Sequence, residues 1–416
     1  MRSHSTTLWR HPDFLKLWTG DTISLLGSQI TLLALPLTAA LILHASAFQV
    51  GLLGAMEYAP NLLLGLLIGV WADRHRRRPL LIGANLGRMA LLGSIPLTAL
   101  LGVLRMEQLY IVAVLTGALT TLFGVAYRPF LPTLVRPDQL VDSNSKLEIS
   151  RSLAQISGPG LGGIMVQLVS APLAIGLDAF SFLISTLFLA AIRTPEPPPH
   201  SPSRHQGVRA EIVEGLRFIL EQPILRAIAG TTCLVFSVGA LSLAVYVLYL
   251  TRDLRLPPSV QGGLFAVAGI GALVGALFLE RLTRRFGIGP TIIGAEGLLG
   301  VSAFLVPLAG LRTEVALPLL VAAQFLQGLA NTVYNAAWIS LFQASLPRHM
   351  QGRVNATMGV LIFSLQPLGA LLGGALGTVL GLQPTLLVAA IGWSLVFLLP
   401  LCSPLRQLRA LPAGEA

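Results

Sequence analysis

Four charged side chains lie inside long apolar segments of this sequence: Asp21, Glu57, Arg88 and Asp178. At a helix centre in a bilayer each costs about 2.5–3.5 kcal/mol on insertion scales, unless it faces a partner or a cavity. A carboxylate in such a place can bind and release a proton, and an arginine can balance its charge. We therefore predict proton coupling at Glu57, with Asp21 and Asp178 as further carboxylates and Arg88 as the balancing charge. A static Glu57–Arg88 pair that only holds two helices together is the alternative.

The depth of these charges differs along the predicted helices. Glu57 and Arg88 are expected to lie deepest, and Asp21 nearer the cytoplasmic interface. In the C-terminal half, Glu296 is expected near a helix start, so that this half holds no deep charge. This asymmetry places the predicted proton coupling in the N-terminal half.

Other chemistry is not indicated by the residues. The sequence has no Walker A loop, no metal-ligand cluster and no nucleophile constellation, and GIGPTIIG (287–294) lacks the glycine spacing of a dinucleotide fingerprint. Cys233 and Cys402 lie far apart and predict no disulfide framework. We expect neither an enzyme nor a bound cofactor, and a proton gradient as the energy source.

The composition predicts the elements that must hold these charges. Only 11% of the 416 residues are charged and the mean hydropathy is +0.76, whereas about a quarter of the residues in a soluble chain are charged. Apolar stretches of about 20 residues recur throughout, as in membrane-spanning helices. We predict an all-α membrane protein, embedded in a lipid bilayer, with twelve transmembrane helices at residues 15–43, 48–72, 79–103, 108–135, 153–170, 172–192, 225–250, 259–279, 288–310, 315–345, 355–379 and 383–401.

Basic residues are concentrated on one side of this predicted arrangement. Of the 28 lysines and arginines, few lie elsewhere: Arg88 and Arg128 within spans, and Arg105, Arg252, Arg255 and Arg312 on the opposite side. The positive-inside rule makes the richer side cytoplasmic, and both termini lie on it. The same distribution accounts for the net charge of +10 without a nucleic-acid partner.

The chain divides into two similar halves that are joined by a polar linker. The predicted domains are an N-terminal six-helix half, a cytoplasmic linker and a C-terminal six-helix half, at residues 1–192, 193–224 and 225–416. The linker begins with a Pro-rich segment, and VRAEIVEGLRFILEQP (208–223) predicts an amphipathic helix on the membrane surface.

Matching segments follow in the same order in both halves: 73–78 with 280–285, 82–85 with 293–296, 134–147 with 345–358, and 158–163 with 366–374. Such a parallel repeat predicts pseudo-symmetric halves, a cavity between them near mid-bilayer, and alternating access by rocking.

Several of these segments resemble the major facilitator superfamily (MFS). The chain is most similar to the bacterial branch that holds the enterobactin exporter and macrolide-efflux proteins, the drug:proton antiporter 3 group. The resemblance covers nearly the whole chain and rests on GVWADRHRRR (69–78), LEISRSLAQISGPGLGG (147–163), APLAIGLDAFSFLIS (171–185) and GRVNAT (352–357). It implies the MFS fold and a place in the bacterial inner membrane.

The resemblance also implies roles for two motifs. A conformational latch is implied at Gly69, Asp73, Arg74, Arg77 and Arg78. The family's aspartate, disfavoured by the dipole at the end of its own helix, points at the start of the eleventh helix. Arg76 stands where the family usually has a glycine. The alternative is that the arginines only set topology.

The second motif lies in the predicted fifth helix. Gly158, Pro159, Gly162 and Gly163 predict a kinked, closely packed helix. The resemblance associates this motif with antiporters, and a plain packing kink is the alternative.

Aromatic and amide side chains of the inner helices are candidates for a substrate cavity. They are Tyr58, Phe236, Tyr246, Gln324, Gln327, Asn331, Tyr334 and Asn335. Their mixed apolar and amide character suits a bulky amphipathic solute.

These expectations combine into one predicted function. We expect a monomeric secondary active transporter that couples proton movement to efflux of a lipophilic drug-like compound or siderophore by alternating access. The alternatives are an importer or uniporter of a small solute, and a lipid scramblase or non-transporting sensor on the same fold.

Overall fold

The computed structural model describes residues 8–196, 208–347 and 350–409, and within these ranges the chain is helical with no strand. The predicted all-α class is confirmed. Up to residue 196 the helices are α1 (Pro12–Leu41), α2 (Ala47–Asp73), α3 (Arg77–Leu100), α4 (Met106–Leu134), α5 (Leu140–Val169) and α6 (Ala171–Ala190).

The helices after residue 207 are α7 (Val208–Glu221), α8 (Pro223–Leu248), α9 (Pro258–Phe286), α10 (Ile288–Leu308), α11 (Thr313–Ala344), α12 (Gln351–Val379), α13 (Leu382–Val396) and α14 (Leu398–Leu401). A π-helical turn, Tyr249–Asp253, prolongs α8, and a 3₁₀ turn, Pro404–Gln407, follows α14.

Ten helices of the described ranges are long and apolar enough to cross a membrane. The long helices α2 and α5, with 27 and 30 residues, are outside this set. The chain is therefore a multi-pass membrane protein, and the count of twelve spans stays a prediction.

The chain forms two compact units. The first comprises Met1–Ala45, Met56–Ser203 and Pro257–Gly262, and the second Ser46–Ala55, Arg204–Leu256 and Gly263–Ala416. The first turns of α2 thus belong to the second unit, and the first residues of α9 to the first. The predicted domain boundaries at 192 and 224 stay a prediction.

In the first unit, α1 packs against α5 and α6, and α3 packs against α4 and α6. The helix α1 begins with Pro12, a residue suited to the first helical position, and the imidazole Nδ1 of His11 accepts a hydrogen bond from the Phe14 amide at 3.2 Å. Buried Phe14, Leu81 and Phe130 join α1, α3 and α4 at one end of this unit.

The second unit has the corresponding pairs α8 with α12, α10 with α11, and α10 with α13. Its helix α7 lies where the sequence predicts a helix, and it packs against α12, while its place on the membrane surface stays a prediction. Ile219 is buried in the core of the unit, and Glu214 Oε1 lies 2.5 Å from Arg353 Nη1. A side chain at Gly215 would meet the Arg353 carbonyl, so the helix approaches α12 closely.

The start of α5 differs from the predicted span, which began at residue 153. The helix begins at Leu140, and its polar first turns combine ion pairs on the helix surface with the burial of Leu147 in the core. Lys146 pairs with Asp142, and Arg151 lies 3.2 Å from Glu148, both at the spacing that favours helix. A search for apolar runs does not detect such an extension.

Candidate functional site

The first unit buries a polar cluster between α1, α3 and α6. Asp178 on α6 is 1% exposed, and its carboxylate accepts hydrogen bonds from Thr31 at 2.5 Å and from Ser181 at 3.1 Å. Gly27 on α1 leaves room for this carboxylate, since a side chain at that position would run into Asp178 Oδ1. The helices α1 and α6 are therefore joined through a charged group deep in the bundle.

Arg88 on α3 is the next member of this cluster and is 7% exposed. Its guanidinium is 4.6 Å from the ring centroid of Phe123 and 4.3 Å from that of Phe182, an arrangement that stabilises a cation away from water. It also donates a hydrogen bond to Asn85 Oδ1. Its electrostatic interactions are with Asp178 and Asp21.

Asp21 on α1 completes the cluster. It is buried, the Tyr127 hydroxyl donates to its Oδ2 at 3.3 Å, and it interacts electrostatically with Arg88 and Arg151. Two buried carboxylates thus interact electrostatically with one buried guanidinium. With all three groups ionised the buried part of the cluster carries one net negative charge, which a single proton would neutralise.

A cavity lies next to this cluster, between α4 and α5. Its volume is about 510 Å³, and it is lined by Tyr127, Arg128, Leu131, Asn144, Ser145, Leu147, Glu148 and Arg151. Tyr127 both lines the cavity and touches Asp21. The cavity therefore gives water a route to the hydroxyl that contacts the buried carboxylate.

Glu57 does not join the cluster. Its side chain on α2 is exposed, and no hydrogen bond or ion pair of its carboxylate is found within the described ranges. The electrostatic interactions of Arg88 are with two other carboxylates, and the role of Glu57, in proton coupling or in a static pair with Arg88, stays a prediction. Of the four predicted charges, the structure brings Asp21, Arg88 and Asp178 together.

The arginines of the predicted latch bind helix ends. Arg77 Nη1 donates to the Ala72 carbonyl at 2.7 Å, and Arg78 Nε donates to the Leu189 carbonyl at 2.9 Å. These contacts satisfy carbonyls at the ends of α2 and α6, where cations are favoured. Glu196, which the sequence analysis did not identify, accepts hydrogen bonds from the amides of Arg77 and Arg78 at the start of α3.

The other latch positions complete this turn. Arg74 is exposed, a side chain at Gly69 would meet nothing within 4 Å, and the Asp73 side chain lies outside the described part. Arg76 has φ −62° and ψ 136°, an extended conformation open to any residue. The turn thus needs no glycine at position 76, which explains how the chain can depart from the family pattern there.

Glycines of the 158–163 motif lie where α5 meets other helices closely. A side chain at Gly158 would run into Gln29, and one at Gly162 would lie 3.1 Å from Ile30 Cα, both on α1. A side chain at Gly163 would lie 2.8 Å from Gly262 Cα. Pro159 lies inside the uninterrupted helix α5.

The second unit contains its own cavity, of about 240 Å³. Three predicted residues line it: Tyr246, Gln324 and Gln327. Gln324 Nε2 donates to the Tyr246 hydroxyl at 2.6 Å, and the Tyr246 ring meets that of Phe265 edge to face, with centroids 5.9 Å apart. The cavity therefore offers aromatic faces and an amide, which suits an amphipathic solute.

The remaining predicted cavity residues lie elsewhere. Phe236, Asn331, Tyr334 and Asn335 are not among the lining residues, and Tyr58 belongs to the first unit. Asn335 Nδ2 donates to the Asn331 side chain at 3.0 Å, so these amides satisfy each other. The lining residues Phe265 and Trp393 are not predictable from the sequence, because a lone aromatic residue in an apolar run carries no signal of its own.

Glu296 differs from its predicted position. It lies more than two turns after the start of α10 and is 1% exposed. The expectation that the C-terminal half holds no deep charge is therefore wrong. Within the described ranges no group of three His, Cys, Asp or Glu side chains could hold a metal ion.

Comparison with known proteins places the chain among membrane transporters. Residues 4–414 match the model of a family described as transmembrane secretion effector. The chain is 30% identical to the multidrug efflux pump Tap of Mycobacterium tuberculosis over 402 residues, which cover 92% of this chain and 91% of that protein. It is 27% identical to the enterobactin exporter EntS of Escherichia coli over 411 residues, 97% of this chain and 94% of that protein.

A solved structure shares the fold. The crystal structure of a bacterial homologue of the iron transporter ferroportin superposes with a TM-score of 0.75 at 18% identity, over 95% of this chain and 99% of that one. The predicted MFS fold is confirmed.

Proposed function

Because the chain belongs to the transmembrane secretion effector family of MFS transporters, we propose that it is a secondary active exporter driven by a proton gradient. The exported compound is a lipophilic drug-like molecule or a siderophore. The names of two relatives, a multidrug efflux pump and an enterobactin exporter, support these two substrate classes. The proposal includes a bacterial inner-membrane location with both termini cytoplasmic, a monomeric state, and no enzymatic activity or bound cofactor.

The observation that supports proton coupling is that the cluster buries more carboxylates than cations. Asp21 and Asp178 face one buried guanidinium, that of Arg88. Asp178 accepts two hydrogen bonds from hydroxyl groups, whereas Asp21 has one longer bond from Tyr127. Asp21 also interacts electrostatically with Arg151, but Arg151 is exposed to water. Because buried charge with few hydrogen bonds is unfavourable, Asp21 is the carboxylate that takes up the proton in this proposal.

Two further groups extend this proposal. Glu57 is exposed on α2 within the first unit, and since a carboxylate directed at lipid is costly, it faces a water-filled passage and takes part in proton transfer. The turn of Asp73 to Arg78 acts as the latch that favours one conformation of the transporter.

The substrate binds at the aromatic and amide cavity of the second unit. A lining that combines Tyr246, Phe265 and Gln324 presents apolar surface together with a few fixed polar groups, as ligand pockets commonly do. An amphipathic compound fits this character better than an inorganic ion.

Transport by the purified chain in proteoliposomes tests the proposal. When the lumen of the vesicles is acidic, transporter molecules inserted inside-out should accumulate a lipophilic cationic dye such as ethidium in that lumen. A catecholate siderophore should compete with the dye if it shares the cavity. Asp21→Asn should lose this accumulation but keep exchange of labelled for unlabelled dye. Asp138→Asn is the matched control, because Asp138 is exposed and pairs with Arg136 at 3.1 Å. Gradient-driven accumulation by Asp21→Asn equal to that of the unaltered chain would refute the assignment.

Failure of the unaltered chain to move either probe against a gradient would refute the exporter proposal itself. Tight binding of a probe without transport would then favour a sensor on the same fold. Movement only down the gradient would favour a uniporter.

A further inference from the structure

The second unit buries a carboxylate that the proposed mechanism does not use. Glu296 on α10 is 1% exposed, and within the described ranges neither of its carboxylate oxygens has a hydrogen-bond partner. An ionised carboxylate in such surroundings lacks both water and a counter-charge, so burial favours the neutral acid. The carboxyl group therefore holds one proton in this arrangement of the helices.

The groups around Glu296 supply no positive charge. On α11, Tyr334 interacts electrostatically with Glu296 and with Cys233 of α8. The helices α13 and α14, which also pack against α10, contain no titratable residue. The 3₁₀ turn after α14 carries Arg406, which is exposed. Among these neighbours only a proton is placed to neutralise the carboxylate.

Glu296 lies on the face of α10 that also carries a residue of the cavity wall, and Tyr334 lies on the corresponding face of α11. Ala303 lines the cavity and follows Glu296 by seven residues, and Gln327 lines it and precedes Tyr334 by seven. Seven residues are almost two helical turns, about 10 Å, and return to the same face. Since α10 and α11 are consecutive and packed together, a ligand that moves one against the other changes the surroundings of Glu296.

We propose that Glu296 is a proton-binding group of the second unit, neutral when buried as here and ionised when α10 and α11 rearrange around the occupied cavity. On ionisation the carboxyl O–H bond breaks, the carboxylate keeps the electron pair, and the proton passes to water that reaches the carboxyl group in the rearranged state. The reverse step restores the neutral acid. This inference rests on the proposed proton-driven export and adds a second proton site to it.

Infrared difference spectroscopy on the purified, lipid-reconstituted chain tests the proton site directly. The carbonyl stretch of protonated carboxylic acids should decrease when ethidium is added or the pH is raised, and in Glu296→Gln this decrease should be smaller by the contribution of one carboxylic acid, while the contribution of Asp21 remains. Glu314→Gln is the control, since Glu314 is an exposed carboxylate in the first turn of α11, and it should retain the change. An identical change in Glu296→Gln and the unaltered chain would overturn the proposal.

Transport separates this inference from the proposed function. In acid-lumen proteoliposomes Glu296→Gln should reduce gradient-driven ethidium accumulation at least tenfold while dye exchange persists, and Glu296→Asp should restore part of the accumulation. Persisting exchange shows that the variant is folded and still binds dye. If the unaltered chain accumulates dye and Glu296→Gln does so equally, only the inference fails. If the unaltered chain accumulates none, the proposed function fails and the infrared result alone decides whether Glu296 exchanges a proton.

Discussion

The hydroxyl of Tyr127 lies 3.3 Å from Oδ2 of Asp21, and the same tyrosine lines a cavity of about 510 Å³ between α4 and α5. A carboxylate buried on α1 is thus one side chain away from a space large enough for several water molecules. This relationship connects the interior charge cluster to a route by which protons can arrive.

Replacing Tyr127 with Phe should slow gradient-driven dye accumulation by about tenfold. The change removes a hydrogen bond to a charged group, which contributes about 1.5–3 kcal/mol, and about 1.4 kcal/mol corresponds to a factor of ten. Initial rates in acid-lumen proteoliposomes measure the effect. Tyr110→Phe, near the opposite end of α4, should leave the rate within twofold; equal effects of the two changes would contradict the role of Tyr127.

Replacing Arg88 with Gln should destabilise the chain by about 3–5 kcal/mol, because it leaves buried carboxylates without their cation. Adding Asp178→Asn should recover part of this loss, since the double variant removes one of the uncompensated charges. Thermal unfolding in detergent, followed by tryptophan fluorescence, compares the variants. Additive losses in the double variant would show that Arg88 and Asp178 are energetically independent.

The sequence predicts the helices of this chain well and their side-chain partners poorly. Apolar runs locate most helices within a few residues, because burial in lipid requires such runs. Asp178 and Thr31, however, are 147 residues apart, and nothing in the local pattern of either residue indicates the other. The exposed position of Glu57 and the buried position of Glu296 depend likewise on how each helix is rotated in its bundle.

The structure of polar segments outside the apolar runs is also not predictable from the sequence. The helix α5 starts at Leu140, in a stretch that has charged pairs on its surface and only Leu147 in the core. Glu196 lies just after α6 in a Pro-rich segment that predicts only an extended chain, yet it caps α3 through two backbone amides. Capping by a residue more than 100 positions away is a tertiary contact and has no sequence spacing by which it could be recognised.

Gly163→Ala should destabilise the chain by about 1–3 kcal/mol, the typical cost of overpacking. The new methyl group would lie 2.8 Å from Gly262 Cα and 2.9 Å from its nitrogen, and backbone atoms cannot rotate away. Gly83→Ala is the matched control, because nothing lies within 4 Å of a side chain there. Since alanine is favoured over glycine inside a helix by about 0.5–1 kcal/mol, Gly83→Ala should raise the midpoint of thermal unfolding where Gly163→Ala lowers it. Equal midpoints for the two variants would contradict the close approach.

Tyr246 and Gln324 should behave as one energetic unit at the cavity of the second unit. Gln324 Nε2 donates to the Tyr246 hydroxyl at 2.6 Å, and both residues are buried. Tyr246→Phe leaves the amide without its partner, and Gln324→Leu does the same to the hydroxyl; each should cost about 1–3 kcal/mol of stability. The double variant removes both polar groups, so its loss should be smaller than the sum of the single losses.

The same variants test whether this cavity holds the transported compound. Each single change should raise the KM for ethidium transport, because a fixed polar group of the cavity wall is lost or misplaced. Gln343→Leu, at an exposed glutamine of the same helix, should leave both KM and stability unchanged. If KM stays constant in Tyr246→Phe and Gln324→Leu while stability shows the expected coupling, the pair only supports the bundle, and the substrate binds elsewhere.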